Sequence, residues 1–117
     1  MGLSRLVGMN RTPQWMYVFG PGDRPQLRTD PTSWTEADNS IGGAHFARLR
    51  AATLEGMVIF AGLALDPDGP AVVVFEADTE EEAREFMHAD PFVSEGLFTA
   101  TLYPFAASLV RGEVTDS

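Results

Sequence analysis

The sequence predicts a single α+β domain in which one antiparallel sheet of four strands carries two helices. Three observations support this expectation. Four apolar segments rich in β-branched and aromatic residues read as strands, two stretches with capping-box spacing open helical patterns, and 117 residues fit one domain but not two. A chain of this length can bury roughly two thirds of its unfolded surface, so a core is possible without disulfide staples.

The first strand is expected at Trp15–Phe19, closed by Gly20-Pro21-Gly22. A loop from Gly20 to about Ser33 follows, punctuated by Pro21, Pro25 and Pro31. It exceeds the usual connection length and reads as either a functional flap or a tolerated insertion. The first helix should begin near Glu36, since Ser33 and Glu36 have capping-box spacing and Thr35 is a competing cap. It should stop at Gly56, placed where a left-handed residue terminates a helix. His45, Leu49, Ala52 and Thr53 share one of its faces, with Phe46 beside them. Gly42 and Gly43 each weaken a helix by about 1 kcal/mol relative to alanine, so a kink or fraying is expected in the N-terminal half. Met57–Leu65 and Ala71–Ala77 are the next strands, joined by Asp66-Pro67-Asp68-Gly69, a residue order that suits a type I turn and hence an antiparallel hairpin. The second helix opens with the capping pair Thr79 and Glu82, with Glu80 and Glu81 in the first turn where the dipole favours them. A short turn, Pro91–Glu95, ends at Gly96, and the last strand runs from about Thr99 to Phe105. This is the ferredoxin-like βαββαβ order, with both helices on one face of the sheet.

The other face then needs cover. Alternation in Met57–Leu65 puts Val58, Phe60, Gly62 and Ala64 on one side and Met57, Ile59, Ala61, Leu63 and Leu65 on the other, while Val72 and Val74 oppose Ala71, Val73 and Phe75. A sheet with one wetted face would alternate with polar residues. A second copy of the chain is the economical cover, so a homodimer is expected.

Composition narrows the function. Seventeen acidic residues against eight basic ones give a net charge of -9, which repels phosphate backbones and anionic lipids, so neither nucleic acid nor a membrane is an expected partner. There is no cysteine and every basic residue is arginine, which excludes thiolate nucleophiles, cysteine metal sites and a Schiff-base lysine. With His45 and His88 as the only histidines, a histidine-rich metal site is not expected, nor is a cofactor. The longest apolar run, Met57–Leu65, has nine residues where a spanning helix needs about twenty. Met1–Pro13 holds Arg5 and Arg11 but no sustained apolar stretch. The expected boundaries are therefore a flexible leader over residues 1–13, one domain over 14–110 and a tail over 111–117, in a cytoplasmic protein.

Two residues stand out from their patterns. Ala83, Phe86 and Met87 form the buried face of the second helix, and the next position in that series is Asp90. A carboxylate there is also disfavoured by the helix dipole. Asp90-Pro91 reads equally as an N-cap and first-position pair for the short turn, a role that uses one oxygen and leaves the other free. His45 lies on the inner face of the first helix beside Leu49 and Ala52, where a histidine is either a satisfied core residue or a catalyst. With both helices side by side on one sheet face, the two side chains are placed to meet. His88 and the glutamates at Glu80, Glu81, Glu82 and Glu85 read as a solvated face.

His45-Phe46 with Leu49, Gly56, Phe60-Ala61-Gly62, Asp66 and Gly69, Glu81-Glu82-Ala83, Asp90-Pro91-Phe92-Val93, Gly96-Leu97-Phe98 and Tyr103-Pro104-Phe105 together resemble the YCII-related family, over about Trp15 to Phe105. The resemblance implies a dimeric α+β barrel, similar in fold to muconolactone isomerase and chloromuconolactone dehalogenase. It also implies a histidine and aspartate pair in a pocket, which maps onto His45 and Asp90 as catalytic residues. Many members carry an arginine about three residues before the histidine. Here that region reads Ile41-Gly42-Gly43-Ala44, and Arg48 is the candidate replacement. Tyr17, Arg48, Phe92 and Phe98 are the expected substrate-binding residues.

The function expected from this reading is cofactor-independent proton transfer, isomerisation or elimination, on a small apolar carbonyl compound such as a lactone. His45 would act as base or acid, and Asp90 would fix its tautomer and stabilise the imidazolium. The alternatives are an accessory protein that captures a small hydrophobic molecule in the same pocket without turning it over, and cofactorless oxygenation of an electron-rich substrate.

Overall fold

The computed structural model describes residues 12–114, so most of the expected leader and the last residues of the expected tail lie outside the described residues. The elements are β1 (Gln14–Pro21), α1 (Glu36–Leu54), β2 (Val58–Leu63), β3 (Ala71–Glu76), α2 (Glu80–His88), the single turn α3 (Pro91–Ser94) and β4 (Phe98–Phe105). They form one antiparallel sheet in the order β2-β3-β1-β4, the ferredoxin-like arrangement. A small hairpin of β5 (Leu109–Val110) and β6 (Glu113–Val114) follows within the expected tail. Gly112, at φ +78°, supplies the left-handed residue its turn needs.

Local chemistry explains the helix ends. Of the two caps available to α1, Thr35 is the one used. Its side chain accepts from the Asp38 N–H at 3.1 Å, while the Asp38 carboxylate accepts from the Thr35 N–H at 2.9 Å. Asp38 also receives both guanidinium nitrogens of Arg24, at 2.7 and 2.9 Å. Ser33 instead closes a 3-10 turn (Pro31–Ser33), its hydroxyl donating to the Asp30 carbonyl at 2.6 Å. Thr35→Ala is expected to lower stability by about 1 kcal/mol, measured as a lower urea midpoint at unchanged slope. Gly56, at φ +91°, lies just past the C-terminus as expected. Unlike the expected kink or fraying, α1 runs unbroken through Gly42 and Gly43. The compensation is packing: a Cβ on Gly42 would lie 3.3 Å from the Trp34 ring, so the missing side chain is what lets that ring seat against the helix.

The inner sheet face carries the core, with Ala61, Val73, Tyr17 and Leu102 in register across all four strands. Trp15, Phe75, Val58, Leu49, Ala52, Ala83 and Met87 join the same cluster. One expectation of simple alternation is corrected here. Val58 pairs with Phe75 and Phe60 with Val74, so an extra residue, Ile59, sits in β2 as a β-bulge. The bulge reverses the parity of the strand, so Val58 faces the core with Phe75 while Phe60 and Gly62 face outward with Val74 and Val72. The outer row therefore reads Phe60, Val74, Met16 and Tyr103, with Phe105 beside it opposite Gln14. Phe60 and Tyr103 are half exposed on this helix-free face.

Candidate active site

The end of α2 delivers Asp90. Its backbone adopts an extended conformation and its side chain caps α3, with the Phe92 N–H donating to Oδ1 at 3.0 Å. The cap reading of the sequence is thus correct, and the remaining acceptor capacity is used as well. Oδ1 lies 2.8 Å from His45 Nδ1, and Oδ2 accepts from the Tyr17 hydroxyl at 2.7 Å. Asp90 is fully buried, whereas the His45 side chain retains 15% of its surface. Burial alone would push the Asp90 carboxyl up. The hydrogen bonds from His45 and Tyr17, the His45 charge and the Phe92 N–H together outweigh it and hold the group below the usual carboxylate range.

This geometry sets the state of the imidazole. A carboxylate only accepts, so the 2.8 Å contact places a proton on Nδ1 and leaves the lone pair of a neutral ring on Nε2. No hydrogen-bond partner for Nε2 is found among the described residues. The ring is fixed from its faces too. Phe92 stacks on it with centroids 3.9 Å apart, and Phe19 meets it edge-on at 5.7 Å.

The other expected site residues separate into two groups. Phe92 lies on the imidazole and Phe98 packs against Phe92, their rings 5.0 Å apart, and Phe19 and Trp34 complete an aromatic cluster with them. Tyr17 and Arg48 lie behind the dyad instead. Tyr17 is fully buried and gives its hydroxyl proton to Asp90, so it holds the carboxylate and presents no surface to a ligand in this chain. Burial first, then the charge and hydrogen bond of Asp90, raise its ionisation well above the usual phenol range. Arg48 donates from Nη2 to the Phe86 carbonyl at 2.9 Å, with its guanidinium carbon 4.1 Å from the Phe86 ring centroid. His88 is exposed, as its place on the outer side of α2 implied. Among the described residues no group of three or more acidic or histidine side chains is arranged to hold a metal, and no helix is long and apolar enough to cross a membrane.

The long segment after β1 joins this site through Trp34. Leu27 is buried, and the Trp34 indole N–H donates to its carbonyl at 2.7 Å while the indole packs against Phe92 and Phe98. Farther along the same segment, Arg28 Nη2 reaches the carbonyls of Ala64, Asp66 and Gly69 at 3.1, 3.3 and 3.3 Å, spanning the β2–β3 turn. No local pattern in the sequence points to that contact. An arginine in a loop reads as solvated until the fold places three turn carbonyls next to it.

Comparison with known proteins follows the same outline. The sequence matches the family model of the YCII-related domain over residues 23–105. No curated protein matches it significantly in sequence. Among solved structures, it is similar to 5-chloro-2-hydroxyhydroquinone dehydrochlorinase (TftG) from Burkholderia phenoliruptrix AC1100, in complex with 2,5-dihydroxybenzoquinone. Identity is 20%, the TM-score is 0.50, and the match covers 79% of this chain and 93% of that one.

Proposed function

The chain belongs to the YCII-related domain family, and from that premise we propose that it is a cofactor-independent enzyme moving a proton on a small carbonyl or hydroxylated ring compound. The observation that carries the reading is the 2.8 Å contact between His45 Nδ1 and the fully buried Asp90 carboxylate, which leaves Nε2 as a base. Nε2 takes a proton from a carbon or hydroxyl conjugated with a carbonyl, and the electron pair of the broken bond is delocalised as an enolate. In isomerisation the imidazolium returns that proton to another carbon of the same system. In elimination the enolate collapses instead, and the leaving group departs with the electron pair of its bond to carbon. Either way Asp90 stabilises the transient imidazolium, and Phe92 and Phe98 offer aromatic surface to a flat substrate. The dehydrochlorinase named above shares the fold, and its chemistry supports including elimination of chloride among the reactions to test.

The direct test is a turnover screen of lactones, enol acids and chlorinated hydroxyquinols, read by ultraviolet absorbance and chloride release. Turnover by the native chain that is absent in His45→Ala is expected. A panel with no turnover but with clear thermal stabilisation by the same compounds would replace the enzyme reading with simple ligand capture.

The active form is proposed to be a homodimer. Phe60, Tyr103 and Phe105, exposed on the helix-free face, support this, and a second copy packed there would bury about 1,000 Å² or more in total. Sedimentation should give a dimer at micromolar concentration and a monomer for Phe60→Arg combined with Tyr103→Arg. A native chain that sediments as a monomer would rule this out.

A further inference from the structure

Asp90 poses a charge-balance problem that the dyad alone does not solve. Its carboxylate is fully buried, and a buried charge persists only when countercharge or strong hydrogen bonding offsets the lost hydration. His45 is a cation only when protonated, whereas a base must rest in the neutral form. The other two groups on the carboxylate, the Tyr17 hydroxyl at 2.7 Å and the Phe92 N–H at 3.0 Å, are both uncharged.

A permanent cation lies one step behind Tyr17. Arg48 follows His45 by one helical turn of α1, so both side chains project to the same side. Its guanidinium lies over the Phe86 ring, and that ring meets the Tyr17 ring edge-on with centroids 6.3 Å apart. Nη2 is satisfied by the Phe86 carbonyl, but Nη1 is buried without a hydrogen-bond partner among the described residues. A buried donor left unused is costly, which makes packing alone a poor reason for it. Its positive charge acts on the Tyr17 hydroxyl, in opposition to burial and to the Asp90 charge. Among the described residues, the neighbouring elements bring no competing charge inward: Glu85 and His88 of α2 and Glu95 after α3 are exposed, and the inward residues of β4, Ala100 and Leu102, are apolar.

We infer that Arg48 is a positioning residue which, acting through the Tyr17 hydroxyl, supplies the fixed positive charge that keeps Asp90 ionised while His45 is neutral. The guanidinium polarises the phenol so that its O–H donates more strongly to Oδ2. The catalytic meaning of this relay rests on the base role proposed above, whereas the ionisation of Asp90 is measurable without any substrate.

The test uses His45→Gln as the background, because glutamine keeps a neutral N–H donor near Oδ1 and removes the titrating ring. With carbon-13 in the aspartate carboxyls, the Asp90 resonance is followed by NMR against pH. Adding Arg48→Met is expected to raise the Asp90 midpoint by about one pH unit or more, a tenfold change in its ionisation constant. Adding Tyr17→Phe should raise it likewise, while Arg48→Lys, which keeps the charge, should hold it within about 0.3 unit of the background. An Asp90 midpoint unmoved by Arg48→Met, or moved equally by methionine and lysine, overturns the proposal. Should the methionine variant fail to fold, Tyr17→Phe decides by the same measurement, and an unmoved midpoint there overturns it too. None of these readings depends on turnover, so a failed substrate screen and a failed relay are distinguishable.

Discussion

His45→Ala is expected to reduce turnover of an accepted substrate by about a hundredfold to ten-thousandfold while the protein stays folded, because the substitution removes the nitrogen proposed to receive a proton. The fold should survive because His45 sits at the rim of the core with part of its surface exposed. The loss of its stacking on Phe92, at 3.9 Å, costs about 1 kcal/mol, and the loss of its hydrogen bond to the buried Asp90 about 1–3 kcal/mol more, still within the stability of a typical domain. Comparing kcat/KM with the thermal midpoint separates the two effects. Recovery of rate on adding free imidazole would identify the missing group as a proton acceptor. A variant that keeps more than about a tenth of native kcat/KM would remove His45 from the chemistry.

The second large effect is on stability. Asp90→Ala strips the acceptor from three donors at once, the His45 ring, the Tyr17 hydroxyl and the Phe92 N–H, in a fully buried place. Removing one partner from such a network costs about 3–5 kcal/mol, a large share of the stability of a domain this size. Asp90→Asn keeps one oxygen for the Phe92 N–H and should cost less. Urea unfolding of the three proteins should therefore rank native above asparagine above alanine. The same carboxylate gives the native fold an acid-sensitive contribution. Because the Asp90 carboxyl is held low in the folded state, it stabilises fully above its unfolded value near pH 4. That contribution is lost as pH falls from there through the folded value. Asp38, held low first by the Arg24 hydrogen bonds and then by the Thr35 N–H, titrates in the same direction. Stability measured from pH 7 downward should thus decline more steeply below about pH 4 in the native protein than in Asp90→Asn. Equal slopes would mean that Asp90 is not ionised in the fold.

Much of this was legible in the sequence because it depends on local periodicity. The strand at Trp15, the hairpin around Asp66 and Gly69, and the caps at Thr79 and Asp90 each follow from residues a few positions apart. The approach of His45 to Asp90 follows one level up, from two inward-facing anomalies on helices that share a sheet face. What stayed hidden depends on parity and long-range geometry. The bulge at Ile59 inserts one residue into an otherwise regular alternation, three positions before Gly62, the residue of that strand whose type suits a bulge. Tyr17 reads as an aromatic strand residue, and only the fold brings its hydroxyl to Asp90 across 73 positions of chain. The intact α1 likewise depends on the Trp34 indole, whose fit against Gly42 cannot be weighed from helix propensity alone.

The Arg28 bridge carries a dynamic consequence. Because one guanidinium nitrogen reaches three carbonyls of the β2–β3 turn, the segment between β1 and α1 and the tip of that hairpin cannot loosen independently. They form one cooperative opening unit, tied at its other end to the aromatic cluster by the Trp34 indole and the Leu27 carbonyl. Amide hydrogen exchange should therefore report matched protection for Gly69, which donates to the Asp66 carbonyl, for Leu27, which donates to the Arg24 carbonyl, and for Asp30, which donates to the Gln26 carbonyl. Arg28→Met would split that unit into two with separate opening rates. Slack created at a hairpin tip would then no longer reach the aromatic wall beside the imidazole.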